Sequence, residues 1–484
     1  MAAAAPAQLV NTIATFTRTG GNTPFAPLVQ GANGDLYGTT AGGYPGTWGT
    51  VFEITPEGKL NELYNFCKQS GCADGAYPYA PVVLGTDGSL YGTTKSGGAH
   101  NYGTVFRLAN GKLTTLYSFC TSVNCADGAY PLAGLVEGSD GNFYGTTSVG
   151  GPIGNGTVFK ITPQGALTTL YTFCALPNCA DGWQPYAGLM QATDGNFYGT
   201  TLFGGAGTVC GSGGCGTIFK ITSHGQLTTL HSFCAESACA DGSYPFGGLI
   251  QGKDGNFYGT VEQGPGNYFG AVFRLTPSGE FTTLVAFCGL GPAADCSDSA
   301  LPSAGLVQGT DGNVYGTTFE GGSSLCSQIA YVYGCGTAFG MTPDGSLTLH
   351  YEFCSQQPGC ADGALLNAPL MQATDGSFYG TTQIGGGGAG CFAGCGTVFS
   401  FSMGLGPFVM TNPSLGSAGM QVMILGNHLT GSTKVSFNGT AASFRVVSET
   451  EIVATVPAGV TSGIVSVSTS TSTLTSNIPF TVTR

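Results

Sequence analysis

Two glutamates are the first candidates for chemistry in this chain of 484 residues. Glu262 and Glu320 follow, within two residues, consecutive copies of a repeated tetrapeptide of the type Tyr-Gly-Thr-Thr, and the other copies carry no acid there. A reaction needs one or two special groups rather than seven copies, so residues that break the symmetry of a repeat are considered first. A carboxyl pair is what a glycoside hydrolase uses, one group as acid and the other as base or nucleophile. The alternative is that both are ordinary surface glutamates.

His100 points to a different reaction. With Lys95 or Tyr102 it is a candidate proton-transfer group of a polysaccharide lyase. The chain contains no Gly-x-Ser-x-Gly nucleophile elbow, no His-Glu-x-x-His zinc motif and no phosphate-binding loop. We therefore expect neither a cofactor nor a metal ion, and whether the protein is an enzyme stays open.

Aromatic side chains are more plentiful than titratable ones in the predicted loops. Rigid rings beside asparagine, aspartate and glutamine, with little charge, suit stacking on sugar rings. The predicted ligand-binding residues are Trp48, Tyr102, Trp183, Tyr268 and Tyr331. The competing explanation is that these rings only cover disulfides and sheet edges.

The 18 cysteines form nine close pairs with none left over. Local pairs in even number are typical of disulfides formed in an oxidising compartment. Zinc is the rival interpretation, but each pair would need two further ligands and the chain has five histidines. Short disulfide loops stabilise less than long ones, so we expect these to stiffen loops. The predicted pairs are Cys67 with Cys72, Cys120 with Cys125, Cys174 with Cys179, Cys210 with Cys215, Cys234 with Cys239, Cys288 with Cys296, Cys326 with Cys335, Cys354 with Cys360 and Cys391 with Cys395.

A long repeat must position these residues. The tetrapeptide recurs seven times at intervals of 53 to 64 residues, after Asp-Gly or Asn-Gly turns and before a segment of the type Gly-Thr-Val-Phe. This period accommodates four short strands, and the turn residues supply the positive φ of tight hairpins. Seven such sheets in series predict an all-β, seven-bladed β-propeller. The repeated tyrosines are Tyr37, Tyr91, Tyr144, Tyr198, Tyr258, Tyr315 and Tyr379.

The ends of the repeat predict how the ring closes. The seventh unit lacks a fourth strand, whereas residues 10–16 match one and precede the first unit. Pairing this segment with the last blade would remove the open sheet edges. In such blades the connections from second to third strand and from blade to blade emerge on one face. All cysteine pairs and all length variation therefore fall on a single loop face, where function is expected.

A repeated aspartate also falls on this loop face, within Cys-Ala-Asp-Gly or Cys-Ser-Asp. A ring of carboxylates is compatible with calcium, but the blades would hold them too far apart to share one ion. Aspartate before glycine is explained more simply as a turn residue that bonds its own backbone. The residues are Asp74, Asp127, Asp181, Asp241, Asp298 and Asp362.

Two segments of the repeat resemble a known family. Residues 305–318, Gly-Leu-Val-Gln-Gly-Thr-Asp-Gly-Asn-Val-Tyr-Gly-Thr-Thr, and residues 135–147 are similar to the GloVer tandem repeats of secreted or surface-anchored bacterial proteins. The resemblance covers about residues 9–402. It implies bacterial export and a propeller fold, and it assigns no chemistry to any residue.

The C-terminal part resembles the IPT/TIG immunoglobulin-like domain. The motifs that carry this resemblance are Asn-Pro-Ser-x-Gly at 412–416, Val-Ser-Phe-Asn-Gly at 435–439 and Ala-Thr-Val-Pro-Ala-Gly at 454–459. Alternating apolar residues without cysteine independently predict a small β-sandwich. In secreted proteins such domains usually serve as spacers or contact modules, so nothing catalytic is expected there.

These signals give a domain plan. Residues 1–8 lack the basic region and apolar core of a secretion signal, so we expect a disordered or non-native start after removal of a leader. The propeller is predicted over 9–402, a linker over 403–406 and the sandwich over 407–484.

Charge excludes several classes of partner. The formal net charge is −13 and no basic cluster occurs, which argues against nucleic acid and anionic membranes. No apolar stretch approaches the roughly 20 residues of a membrane span. The sequence thus predicts a secreted or cell-surface recognition module that binds a glycan or another surface ligand. An extracellular polysaccharide-cleaving enzyme and a self-associating structural component are the alternatives.

Overall fold

The computed structural model describes residues 10–18, 21–42, 46–207, 209–235, 239–264, 269–288, 300–328, 334–387, 391 and 393–483. Within these residues the chain forms seven four-stranded antiparallel sheets followed by a β-sandwich. The prediction of an all-β, seven-bladed propeller with a C-terminal sandwich is confirmed. The described residues form 3-10 turns at Ser70–Cys72, Val123–Cys125, Pro177–Cys179, Gly211–Gly213 and Ser324–Gln328.

Each blade runs in chain order from a two-residue inner strand to an outer strand, except that the first strand of the chain, β1 (Asn11–Thr15), is the outer strand of blade 7. Blade 1 comprises β2 (Val29–Gln30), β3 (Leu36–Thr40), β4 (Thr50–Ile54) and β5 (Leu60–Asn65); blade 2, β6 (Val83–Leu84), β7 (Leu90–Thr94), β8 (Thr104–Ala109) and β9 (Lys112–Ser118); blade 3, β10 (Val136–Glu137), β11 (Phe143–Thr147), β12 (Thr157–Ile161) and β13 (Leu167–Thr172); blade 4, β14 (Met190–Gln191), β15 (Phe197–Thr201), β16 (Thr217–Ile221) and β17 (Leu227–Ser232). Blade 5 comprises β18 (Ile250–Gln251), β19 (Phe257–Val261), β20 (Ala271–Leu275) and β21 (Phe281–Ala286); blade 6, β22 (Val307–Gln308), β23 (Val314–Thr318), β24 (Thr337–Met341) and β25 (Leu347–Glu352); blade 7, β26 (Met371–Gln372), β27 (Phe378–Thr382) and β28 (Thr397–Phe401), completed by β1.

Blade 3 shows why the tetrapeptide Tyr-Gly-Thr-Thr is repeated. The hydroxyl of Tyr144 donates to Asp140 Oδ2 in the preceding turn (2.8 Å), while its ring stacks on Phe197 of blade 4 with centroids 3.9 Å apart. Thr146 donates to the carbonyl oxygen of Ala187 in the next blade (3.3 Å), and Thr147 shares a hydrogen bond with Thr157 of the adjacent strand (2.8 Å). Three of the four side chains therefore fasten a turn, a neighbouring blade or a neighbouring strand.

The glycine of the tetrapeptide is required by packing. A Cβ added at Gly145 would lie 2.6 Å from Cζ of Phe159 on the paired strand. The same contact recurs at Gly199, where Cζ of Phe219 would be 2.7 Å away. Only glycine leaves space for the phenylalanine ring of the Gly-Thr-Val-Phe segment.

The ring closes as the sequence predicts. β1 pairs antiparallel with β28, from Asn11 opposite Ser400 to Thr15 opposite Thr397. Phe16, directly after β1, is fully buried and its ring lies 5.0 Å from that of Phe52 in blade 1. The closing strand thereby joins the last blade to the first.

The sandwich consists of two four-stranded sheets and one short parallel pair. One sheet has the order β29 (Met410–Asn412), β31 (Gln421–Leu425), β35 (Glu451–Thr455) and β34 (Phe444–Val446). The other has β33 (Thr440–Ala441), β32 (Lys434–Phe437), β36 (Val465–Ser468) and β37 (Thr473–Thr475), and β30 (Leu415–Ser417) pairs with β38 (Thr481–Thr483). A single core that includes Val422, Ile424, Val435 and Phe437 lies between the sheets.

The sandwich lies against the turn face of the propeller, the face that carries the Asp-Gly hairpins. Its Asn412 donates to the carbonyl oxygen of Leu84 (2.7 Å), Thr450 to that of Ala32 (2.6 Å) and Asn477 to that of Gln308 (2.8 Å). These contacts reach blades 1, 2 and 6. The sandwich thus covers the centre of this face rather than hanging from one blade.

No helix among the described residues is long and apolar enough to cross a bilayer.

Candidate functional site

A cavity, here called the cup, lies at the axis of the propeller on the side away from the sandwich. It has a volume of about 450 Å³ and is lined by one equivalent residue from every blade. Each of these residues lies four residues before the inner strand of its blade, so the repeated fold brings seven positions 50 or more residues apart to one axis. The set is Phe25, Tyr79, Leu132, Tyr186, Phe246, Ser303 and Asn367.

The cup has two aromatic pairs. The rings of Phe25 and Tyr79 lie 5.2 Å apart between centroids, and those of Tyr186 and Phe246 lie 4.3 Å apart. All four side chains are half-buried, so part of each ring faces the cavity. Such fixed, partly exposed rings favour a ligand with flat apolar faces.

Blades 6 and 7 give the cup a polar wall. Ser303 donates from its hydroxyl to Asn367 Oδ1 (2.9 Å), which leaves the amide nitrogen of Asn367 for other acceptors. Gln383 directly follows β27 of blade 7. Its amide nitrogen is buried and has no hydrogen-bond partner among the described residues. A ligand acceptor at this wall would satisfy donors that the protein itself leaves unused.

Strand geometry places Glu262 at the rim of the cup. Thr260 of β19 donates to the carbonyl oxygen of Ala304 in blade 6 (2.9 Å), and Glu262 directly follows the last residue of this strand. Its backbone N–H donates to the carbonyl oxygen of Tyr244 (3.0 Å), two residues before Phe246 of the cup. The sequence-predicted glutamate therefore stands beside one of the aromatic pairs.

Glu262 and Glu320 interact across the junction of blades 5 and 6. Burial raises the pKa of Glu262, and the negative charge of Glu320 raises it further. Glu320 itself is only 8% exposed. The two carboxyl groups proposed from sequence are thus close enough for their charges to interact.

Tyr186 and Tyr79 of the cup interact electrostatically with each other, and Tyr186 also interacts with Glu262. Burial raises the pKa of Tyr186, followed by the influence of Tyr79 and of Glu262. The ammonium of Lys95 lies 5.1 Å from the ring centroid of Tyr79 on the opposite side. The rim therefore has a cationic side at blade 2 and an acidic side at blades 5 and 6.

The sandwich contributes to a second cavity at the other end of the axis. This cavity of about 450 Å³ is lined by inner-strand residues such as Val307 and Met371 and by Phe408 and Ile478 of the sandwich. Pro27 and Ile250 line both cavities, so the two are consecutive parts of one channel.

Three of the aromatic residues predicted to bind a ligand lie outside the cup. Trp48 is 39% exposed and packs on Tyr77, and Tyr102 packs on Tyr130, with ring centroids 5.4 and 5.3 Å apart. Trp183 stacks on Phe203 at 4.7 Å and donates its indole N–H to the carbonyl oxygen of Gly213 (3.0 Å). These rings fasten loops on the rim, and their role in binding remains a prediction. Tyr268 and Tyr331 lie outside the described residues.

His100 is not brought to the glutamates. It is exposed in the second-to-third-strand loop of blade 2, three blades around the ring from Glu262. Lys95, its suggested partner, is placed at the rim over Tyr79 instead.

The structure joins eight of the predicted cysteine pairs as disulfides, all on the loop face. They are Cys67 with Cys72, Cys120 with Cys125, Cys174 with Cys179, Cys210 with Cys215, Cys234 with Cys239, Cys326 with Cys335, Cys354 with Cys360 and Cys391 with Cys395. The ninth prediction pairs Cys288 with Cys296, and Cys296 lies outside the described residues. Such a density of disulfides indicates an oxidising compartment.

The two kinds of disulfide loop are held by backbone hydrogen bonds as well. Cys239, in a blade-to-blade loop, is half-buried and its carbonyl oxygen accepts from the N–H of Gly242 (3.0 Å). Cys395, in a second-to-third-strand loop, is 1% exposed and its carbonyl oxygen accepts from the N–H of Thr23 (3.0 Å). The bond from Thr23 fastens the loop of blade 7 to the segment that leads into blade 1.

Two clusters of sulfurs test the zinc alternative. The sulfurs of Cys326, Cys335, Cys354 and Cys360 all lie within 4.8 Å of one another, and so do those of Cys210, Cys215 and Cys234. Every member of both clusters is bonded in a disulfide, the last of them to Cys239, so none is a free thiolate that could ligate zinc.

The repeated aspartates are used by the protein itself. Asp74 accepts hydrogen bonds from the Tyr64 hydroxyl (2.7 Å) and from the backbone N–H of Lys68 (3.0 Å). Asp127, Asp181 and Asp362 make the corresponding bonds, in each case with a tyrosine of the outer strand. Their carboxylates hold the disulfide loops to the blades, and Asp298 lies outside the described residues.

Sequence reasoning missed most of the cup. Phe25, Tyr79 and Phe246 were not singled out, because these residues precede the inner strand of their blades, whereas the sequence analysis concentrated on residues that follow the tetrapeptide. A signal is present nevertheless. In six repeats a proline is followed by one variable residue and then alanine or glycine, and this variable residue is the one that faces the axis.

Comparisons with known proteins agree with this architecture. The family model described as the Gloeobacter/Verrucomicrobia repeat matches residues 4–201 and 120–330, and the IPT/TIG domain model matches residues 409–482. No curated protein matches the chain.

Several solved structures are similar in fold. They include a luciferin-regenerating enzyme (11% identity, TM-score 0.41, 83% of this chain and 97% of that chain covered) and an α-L-arabinanase of Penicillium chrysogenum complexed with arabinobiose (12%, 0.41, 82% and 99%). A third is the PQQ-bound aldose sugar dehydrogenase of Streptomyces coelicolor (14%, 0.35, 82% and 99%). At these identities and TM-scores the similarity carries no information about ligand or reaction.

Proposed function

This chain belongs to the Gloeobacter/Verrucomicrobia repeat family and ends in an IPT/TIG domain, and from this premise we propose that it is a secreted or surface-exposed module that binds a glycan in the cup. The observation that carries the proposal is the combination of two aromatic pairs, Phe25/Tyr79 and Tyr186/Phe246, with a polar wall in one cavity. Sugars present apolar ring faces and hydroxyl groups together, so they use both surfaces. The disulfides support export, because they form and persist in oxidising compartments.

The direct test is binding to a panel of plant, microbial and algal polysaccharides, scored by pull-down and by chromatography of soluble products. Retention without products supports the binding module. Tyr186→Ala is expected to weaken retention of the bound polysaccharide by roughly tenfold or more, since buried aromatic anchors contribute about 2 kcal/mol or more.

Trp48→Leu separates binding in the cup from binding on the rim. If this variant loses retention while Tyr186→Ala keeps it, the ligand stacks on the loop-face rim and the cup is the wrong site. Absence of retention by every polysaccharide would overturn the glycan proposal. Self-association in light scattering without ligand would then favour the structural component.

A polysaccharide-cleaving enzyme is the second candidate, and it is favoured by one observation. Burial and the charge of Glu320 raise the pKa of Glu262, as the general acid of a carboxyl pair requires. This function predicts soluble products that disappear in both Glu262→Gln and Glu320→Gln. Products that persist in both variants would exclude the pair as the catalytic residues.

A further inference from the structure

The charges around the cup are not evenly distributed. At blade 2 the protein supplies its own cation, Lys95, over the face of Tyr79. At blades 5 and 6 it supplies two acids, Glu262 and Glu320. Among the described residues no lysine or arginine lies over the ring of Tyr186 or Phe246, the aromatic pair beside Glu262.

The carboxylate of Glu262 has no hydrogen-bond or ion-pair partner within the described part of the chain. A half-buried charge without a partner is costly, and an incoming ammonium group would lower this cost. Glu320, close enough for its charge to act on Glu262, strengthens the attraction for a cation at this place.

The aromatic pair offers a second contact for the same group. Ammonium ions bind the faces of tyrosine and phenylalanine within about 6 Å of the ring centre. Lys95 over Tyr79 shows that this cup already holds one ammonium in that way. A ligand ammonium between Glu262 and the Tyr186 ring would reproduce the arrangement on the acidic side.

The charge of the whole protein acts in the same direction. With a net charge of −13, it attracts polycations over a distance and repels polyanions. A neutral glycan gains nothing from this field.

We propose that the glycan bound in the cup carries free amino groups, with the ammonium of a de-acetylated amino sugar at Glu262 and the sugar faces on Tyr186 and Phe246. This inference rests on the proposed glycan-binding function and names its ligand class.

The test compares two oligosaccharides with the same β-1,4 backbone. Isothermal titration calorimetry near neutral pH measures binding of the glucosamine hexamer and of the N-acetylglucosamine hexamer to the full chain. The glucosamine hexamer is expected to bind at least about tenfold more tightly. Glu262→Gln should abolish this preference.

Glu352→Gln is the matched control. Glu352 is exposed at the outer strand of blade 6, and its replacement changes the net charge by the same amount without touching the cup. The preference should survive in this variant. If both variants lower it equally, only long-range attraction operates and the assignment to Glu262 is wrong.

Three further outcomes would also overturn the inference. Equal or tighter binding of the acetylated hexamer would show that the amino group is not read, while the glycan function would stand. Failure of both hexamers would refute the amino-sugar class, and the polysaccharide panel would then decide the glycan function separately. Binding of poly-L-lysine as tightly as the glucosamine hexamer would mean that the cup selects cationic protein segments.

Discussion

Glu262 is the residue on which both the proposed binding function and the alternative catalytic function depend. Its neighbours on the strand are fixed by the blade, whereas its side chain lies at the rim of the cup and is coupled to Glu320 and Tyr186. The fold therefore tolerates a partly buried acid whose carboxylate has no hydrogen-bond or ion-pair partner among the described residues. Such a residue is more easily explained by ligand binding than by stability.

The raised pKa of Glu262 predicts a pH-dependent stability. Because the folded-state pKa lies above the ordinary value of 4.5, the contribution to stability is present below that value and is lost as the pH rises through the folded-state pKa. Glu262→Gln, which stays neutral, is expected to melt at a higher temperature than the wild type at neutral pH. The difference should vanish below about pH 4.

Thermal melts of the two proteins between acidic and neutral pH measure this effect, with Glu352→Gln as the charge control. A Glu262→Gln variant that is less stable than the wild type at neutral pH would show that the carboxylate is paired in the fold.

The disulfide loops are held to the blades by buried aspartates. Asp127, 5% exposed, accepts from the hydroxyl of Tyr117 (2.8 Å) and from the backbone N–H groups of Thr121 (2.9 Å) and Ser122 (3.2 Å). Burial alone would raise the pKa of Asp127, but these hydrogen bonds hold it below its usual value. The loop is thus fixed by one carboxylate as well as by its short disulfide.

Asp127→Ala is expected to lower the free energy of unfolding by about 2–3 kcal/mol, since buried donors lose a charged acceptor. Urea denaturation measures the loss, and Tyr117→Phe, which leaves the backbone N–H groups of Thr121 and Ser122 bonded to the carboxylate, should cost less. An Asp127→Ala variant as stable as the wild type would mean that the disulfide alone holds the loop.

The closing strand is the element on which the ring depends. Phe16→Ala is expected to cost about 3–5 kcal/mol because it empties a fully buried position between blades 7 and 1. Deletion of residues 1–18 should lower the melting temperature more, since it also exposes the edge of β28.

Thr15→Ala is the control for Phe16→Ala, because Thr15 is exposed on the same strand. A deletion variant with an unchanged melting temperature would refute closure by β1.

The sandwich packs on the turn face of the propeller. β31 is buried on both faces: Val422 and Ile424 face the sandwich core, while Met423 and Leu425 pack in a cluster with Val82, Leu84 and Leu90 of the propeller. The two domains therefore share a hydrophobic interface at the turn face, in addition to the hydrogen bonds across it.

Met423→Asp is expected to release the sandwich, because an unpaired carboxylate in this interface costs several kcal/mol. Small-angle scattering should show a larger radius of gyration, with the β-sheet circular dichroism unchanged. Val447→Asp, at an exposed site of the sandwich, is the control. Unchanged scattering of Met423→Asp would show that the remaining contacts suffice.

Most of the architecture could be predicted from sequence because its determinants are local and repeated. Asp-Gly turns fix the hairpins, and the tetrapeptide fixes the strand that follows, since each of its side chains has a partner in the same repeat or in the next blade. The missing fourth strand of the last unit and its match at residues 10–16 then determine closure, confirmed by the pairing of β1 with β28. The carboxyl pair could be found from sequence because Glu262 and Glu320 follow the tetrapeptide by one and two residues in consecutive repeats.

The cup and the docking of the sandwich were decided only by the tertiary structure. Which residue of each repeat faces the axis depends on how far the inner strand extends and on how seven sheets tilt around one centre, so residues as distant as Tyr79 and Tyr186 become neighbours in one cavity. In the same way, Met423 and Leu425 read as ordinary members of an apolar strand, and only the approach of blades 1 and 2 gives them a partner. A repeat encodes its own strands and turns, whereas contacts among all repeats arise from geometry that no single segment contains.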